Sequence, residues 1–268
     1  MHIVRFLTPA LAGATVLACA LPALAQPTGD TVDWNGVYAG LNAGWNDAAT
    51  QAGSGLATTH TTSTAVPTDT FPTRQMDYSS SSWAVGGQIG ANKQIGHYVF
   101  GVEGDFDGVG GRSGQLSSYD LTRPPTAGGT VGIDRVTRPD WTSTIRARAG
   151  YAVGPVLFYG TGGLALAQAN QAAYYSYSGP TTGGTPGPYS NAAVHNEFMA
   201  GWTAGGGVEW ALTHQISVGA EYRHSDYGHQ PNFVGNGVPG ATSENNTLGY
   251  SDDQVLAKVN YKFGAGIF

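Results

Sequence analysis

A few places in this 268-residue chain bring together residue types that do chemistry. His224-Ser225-Asp226 holds a base, a nucleophile and an orienting acid. The triplet lies in an alternating stretch, where successive side chains point to opposite faces, so His224 and Ser225 cannot share a proton there. His195-Asn196-Glu197 has no third ligand at metal spacing. Gly160-Thr161-Gly162-Gly163 and Gly205-Gly206-Gly207 are not followed by a helix, so they are not phosphate loops. They suit strands that pack closely and bend. Asp252-Asp253 could hold a cation at a loop rim, although a solvated acidic edge is the simpler reading. No catalytic, cofactor or metal site follows from these residues.

The other charges follow a different pattern. Glu103, Asp105, Arg146, Arg148, Glu209, Glu221, Arg223 and Lys258 lie on the polar faces of alternating segments. Glu103 is five residues from Tyr98, and Arg146 is five from Tyr151. On neighbouring strands the two would stand at similar height, with Asp105 and Arg148 flanking them diagonally. Glu221, five residues from Ile216, meets Lys258, five from Phe263, in the same way, with Arg223 above. Opposite charges meeting twice predict an ion network on a shared inner face. The plainer alternative is a set of inward polar groups bathed in water.

Strands must position these charges. In Gln254 to Phe263, Val255, Ala257, Val259, Tyr261 and Phe263 share one face. Gln254, Leu256, Lys258, Asn260 and Lys262 share the other. Similar alternation predicts strands over 34–45, 83–93, 98–108, 141–151, 156–167, 198–212 and 216–227, eight in all. The two faces of 156–167 are almost equally apolar, which leaves that strand unoriented. Long polar stretches over 46–81, 109–139, 168–196 and 229–251 alternate with tight turns near Gly96, Gly154 and His214. A soluble sandwich has no reason to keep that order. A membrane barrel does, with short turns on one side and long loops on the other.

The aromatic residues fit the same architecture. Trp45, Trp83, Trp141 and Trp202 lie at strand ends that would face outside. Trp34 and Trp210, with Tyr98, Tyr151 and Phe263, lie at the opposite ends. Two aromatic girdles at headgroup level are expected. The chain has 41 Gly, 14 Tyr and 11% charged residues with net charge −6, which argues against nucleic-acid binding.

Met1 to Ala25 reads as a secretory signal, with Arg5, an apolar run from Phe6 to Leu24, and a cleavage site at Ala23-Leu24-Ala25. The alternatives are a membrane anchor and a lipoprotein signal with Cys19 as the lipidated residue. Cleavage after Ala25 would leave 26–268 as one barrel domain without cysteine, hence without disulfides or thiol chemistry.

Asp33-Trp-Asn-Gly-Val-Tyr-Ala-Gly40, Gly86-Gly-Gln-Ile-Gly90, Phe100-Gly-Val-Glu-Gly-Asp-Phe106, Tyr159-Gly-Thr-Gly-Gly-Leu-Ala165 and Val259-Asn-Tyr-Lys-Phe263 together resemble the small outer-membrane β-barrel proteins of the porin-like, opacity-type surface-antigen group. The resemblance covers the strands and none of the loops. It implies an all-β fold, an eight-stranded antiparallel transmembrane up-and-down β-barrel with four long extracellular loops in the bacterial outer membrane. It also implies a structural, adhesive or antigenic role. Family members usually end at the aromatic matching Phe263, whereas Gly264 to Phe268 continue here.

The expected function is that of a non-enzymatic surface barrel without a cofactor. Its expected partners are outer-membrane lipid, the barrel-assembly machinery, and a host surface or small ligand such as haem met through loop tyrosines and His60, His195 or His229. The alternative is a narrow porin-like channel for small solutes.

Overall fold

The computed structural model describes residues 32–59, 68–70, 74–110, 113–121, 129–178, 189–232 and 241–263. The expected signal over 1–25, Cys19, His60 and the extension over 264–268 lie outside the described residues.

The described residues form ten strands: β1 (Gly36–Thr59), β2 (Thr68–Thr70), β3 (Arg74–Ile95), β4 (Tyr98–Val109), β5 (Ser113–Leu121), β6 (Gly129–Val153), β7 (Val156–Ser178), β8 (Tyr189–Ala211), β9 (Ile216–Asn232) and β10 (Ala241–Lys262). Eight of them pair antiparallel in chain order, and β10 returns to β1 with Leu41 opposite Val259, closing a barrel. β5 continues the line of β4 along β6, and β2 pairs with the far end of β1. Through the span in which all eight strands pair, closure leaves no edge free, which is the condition for a sheet to exist in lipid.

The faces are inverted relative to a soluble protein. Leu41, Ile89, Val102, Ile145 and Leu164 point outward and are each more than 60% exposed. Asn42, Gln88, Glu103, Arg146, Glu221 and Lys258 point inward and are buried. An apolar exterior of this extent is stable only where the surroundings are themselves apolar. β7, whose sequence leaves both faces open, turns Leu157, Tyr159, Ala165 and Ala167 inward and Phe158 and Leu164 outward.

Tight turns join the strands at one end. Gly96 and Gly154 adopt φ of 62° and 57°. Gly154 is followed by Pro155, whose ring fixes φ near −65°, the pattern of a type II′ hairpin turn. Such a turn matches the twist of the strands it joins.

The strands run further than alternation predicts. β1 reaches Thr59 rather than Trp45, and its register with β10 continues past Asp47–Asp253 to Ala57–Ser243. β3, β6, β7, β8, β9 and β10 likewise take over much of the four stretches expected as loops. Beyond the lipid both faces of a strand meet water, so the apolar alternation disappears while backbone pairing persists. β6 carries Pro139 into the ladder at a register shift beside Trp141, where its missing N–H is tolerated.

Trp34 departs from its expected place in a lipid-facing girdle. It is 5% exposed and packs into the barrel mouth at the tight-turn end against Val32, Val99, Ala152, Leu157, Tyr159 and Ala211. Its backbone N–H donates to Gln94 Oε1 at 2.8 Å, and the Gln94 N–H donates to Asn35 Oδ1 at 2.8 Å. Gly36, with φ of 121°, turns the chain from this plug into β1. The even-numbered side chains Tyr38, Asn42 and Asn46 of β1 point inward, and Trp34 shares their parity. Partial burial opposes ionisation of the adjacent Asp33, but hydrogen bonds from the Asn35 backbone and side-chain amides hold its carboxyl below the usual carboxylate range.

The remaining aromatic residues of the expected girdles face out. Trp45 and Trp83 are cross-strand partners, 55% and 56% exposed. Trp202, Trp210, Tyr98, Tyr151 and Phe263 are also exposed. Trp141 stacks on Phe106 with ring centres 5.4 Å apart.

Strand extension beyond the membrane makes a prediction for hydrogen exchange. In detergent-folded protein, the paired amides within 48–57 and 243–252 will exchange at least tenfold more slowly than unstructured peptide. Peptide-like exchange there would mean that the strands end near the tryptophans.

Candidate functional site

The candidate site is the lumen, built from every second residue of the eight staves. Arg146 on β6 stands at its centre. Nη2 donates to Glu103 Oε1 at 2.6 Å and to Asp105 Oδ2 at 2.9 Å, both on β4. Nη1 donates to Glu221 Oε1 on β9 at 2.5 Å and to Thr161 Oγ1 at 3.1 Å. Lys258 on β10 reaches the same two glutamates, Glu103 Oε1 at 2.6 Å and Glu221 Oε2 at 3.0 Å. The Glu103–Arg146 and Glu221–Lys258 pairs expected from strand position are therefore joined across the lumen.

Two further groups continue the network along the axis. Towards the tight-turn end, Arg148 bonds Glu209 through Nη2, lies 3.7 Å from Glu103 through Nη1, and places its guanidinium carbon 3.7 Å from the Tyr159 ring centre. Glu209 also accepts from Ser217 Oγ at 2.5 Å and Asn260 Nδ2 at 3.0 Å. Towards the other end, Arg223 contacts Asp105 Oδ1 at 2.8 Å and bonds Asp107 and the Gln254 side-chain oxygen. Asp105 and Arg148 thus flank the central pair on opposite sides, because β4 and β6 run antiparallel.

Two tyrosines are the members that sequence reasoning passed over. Tyr38 donates to Glu103 Oε2 at 2.7 Å, and Tyr159 donates to Glu221 Oε2 at 2.9 Å. Each lies directly across from a glycine, Gly90 and Gly207 respectively. A Cβ at Gly207 would sit 2.7 Å from the Tyr159 hydroxyl and 2.8 Å from Cζ, and one at Gly90 would sit 2.5 Å from Tyr38 Cζ. These glycines leave room for the rings to lie flat in the lumen and reach the carboxylates. Asp107, bonded by Arg223, was also missed as a member, although it shares the inward parity of Asp105.

The motifs that suggested chemistry are separated by the pleat. His224 points outward and Ser225 inward. Asp252 is buried, whereas Asp253 faces out and accepts from Tyr222 Oη at 2.6 Å, with His224 Nδ1 2.8 Å away. The acidic pair is therefore not one solvated edge. His195 lies in β8, and His229 is exposed on β9.

The sequence comparisons agree with this architecture. Residues 15–263 match the model of the outer membrane protein beta-barrel domain. The chain belongs to that family. It is a bacterial outer-membrane barrel, so its tight turns are periplasmic and its longer hairpins extracellular. It is 30% identical over 229 residues to the 31 kDa outer-membrane immunogenic protein of Brucella melitensis, covering 83% of each chain. It is 28% identical to the 22 kDa outer membrane protein of Rhizobium leguminosarum, covering 68% of each. Among solved structures, Ail, the attachment invasion locus protein of Yersinia pestis, aligns with TM-score 0.31 and 11% identity over 81% of this chain and 98% of that one.

Two mutational predictions test the lumen. Arg146→Ala leaves three carboxylates short of a donor, and breaking a buried pair in this way costs about 3–5 kcal/mol. Urea unfolding in micelles measures it, and a loss below about 0.5 kcal/mol would mean hydrated charges. Gly90→Ala, whose new Cβ meets the Tyr38 ring before any other group, will displace Tyr38 and lower stability by about 1–3 kcal/mol. Gly160→Ala is the control, since its new Cβ would find nothing nearer than Gly205 O at 3.8 Å.

Proposed function

We propose that this outer-membrane barrel is a non-enzymatic surface protein with a closed lumen and a working face formed by its extracellular hairpins. The observation that carries this reading is the bridging of Glu103, Asp105 and Glu221 by one buried guanidinium, Arg146. An eight-stranded barrel has an interior just wide enough for side chains to fill, and this bridge crosses it. Trp34 at the periplasmic mouth supports closure from a second direction. The extended hairpins carry the polar strand segments away from the membrane, where a host surface or small ligand would meet them. Relatives named as outer-membrane immunogenic proteins support exposure of that face. Outer-membrane lipid would surround the apolar exterior, and the barrel-assembly machinery would insert it.

Single-channel recording in planar bilayers tests the proposal. Purified protein will give no stable conductance, and any surface binding will disappear when the extracellular hairpins are shortened. Frequent ohmic steps that survive shortening would replace this reading with a narrow channel for small solutes.

A further inference from the structure

Among the described residues, six buried carboxylates share the lumen with four buried bases. Glu103, Asp105, Asp107, Glu209 and Glu221 each have a cation within 4 Å; Asp252 has none among the described residues. Asp252 is 1% exposed and lies one inward position above Gln254, on the extracellular side of the network. Tyr227 Oη donates to its Oδ2 at 3.4 Å, Ser225 is its cross-strand partner on β9, and its Oδ1 has no hydrogen-bond partner within 3.5 Å among the described residues.

Two more orphan oxygens are nearby. Thr50 on β1 and Tyr250 on β10 are register partners, 1% and 3% exposed, and neither hydroxyl has a partner among the described residues. Tyr250 packs on Tyr227 with ring centres 5.3 Å apart, so β1, β9 and β10 bring three hydroxyls together one inward position above the Asp252 carboxylate, which pairs at the level of Ala48 and Ser225. Burying polar oxygens without partners is costly, and burying a carboxylate whose nearest base, Arg223, is already bonded to Asp105 and Asp107 more so. A water molecule would satisfy the hydroxyls but leave the charge. A hard cation answers both needs, because such ions take carboxylate and neutral oxygen ligands together.

We propose that Asp252, Thr50 and Tyr250, with Tyr227, hold a hard, oxygen-preferring cation such as Ca²⁺ in the extracellular half of the lumen. The ion completes the charge balance of the network and ties β10 to β1 across the closing seam. It would enter from the outside, since Arg223 and Gln254 close the path below.

Heat unfolding of detergent-folded protein at fixed ionic strength tests this. Titration with CaCl₂ will raise Tm saturably, by about 4 °C or more at a hundredfold excess over Kd. Asp252→Asn will abolish the response, and Thr50→Val will weaken the apparent affinity about tenfold. Should Asp252→Asn fail to fold, Thr50→Val carries the test alone. Asp253→Asn, which changes the outward neighbour, will keep the full response. The proposal is overturned by a wild-type protein that shows no saturable response to Ca²⁺, Mg²⁺ or Na⁺. A response lost equally in Asp253→Asn overturns it too, as does a Tm that rises on acidification and ignores added cation, which would mean that a proton neutralises Asp252.

Discussion

The structure depends on the seam between β10 and β1. A sheet in lipid cannot leave a row of N–H and C=O groups unpaired, because no water is present to receive them. Pairing Tyr38 through Ala57 with Lys262 through Ser243 removes the last edge of the span that all eight strands share. Once eight strands close on themselves, the size of the interior is set, and so is the requirement that side chains fill it.

What fills it is largely charged, and the reason lies in the alternation itself. Each stave gives lipid its apolar residues, so its polar residues are turned inward. Inside, they are stable only when paired. Replacing such a network with apolar groups can leave stability unchanged, so its value here need not be energetic. A set of opposite charges contributed by β4, β6, β8, β9 and β10 has one arrangement in which every strand is in register. Slippage by a residue would send Arg146 or Glu221 into lipid. The ion network therefore specifies the register as much as it stabilises the barrel.

Much of this was legible in the sequence. The order of tight turns and longer connections, the outward faces, and the Glu103–Arg146 neighbours all follow from counting by two. An interior ion network followed too, but its cross-lumen partners, Arg146 with Glu221 and Lys258 with Glu103, did not, because strand shear decides which residues meet across a lumen and shear leaves no mark on any single strand. β7 could not be oriented because Tyr159 and the alanines that line the interior are hardly more polar than Phe158 and Leu164 outside. Trp34 was misplaced by its residue type, although its parity with Tyr38 pointed inward. The strand ends were misjudged because water on both faces erases the periodic signal that lipid imposes.

The continuation of the staves above the membrane constrains how the exposed surface can change. A paired hairpin arm repeats every two residues, so adding or removing two preserves which side chains face the axis, whereas adding one turns every residue beyond it inside out. Length variation within the arms is thus quantised in even steps, apart from places such as the shifts beside Trp141 and Ser251 where an odd residue is absorbed. A lineage under pressure to alter its outer face could redraw the tips freely while the arms supply a fixed scaffold on which each new surface is displayed.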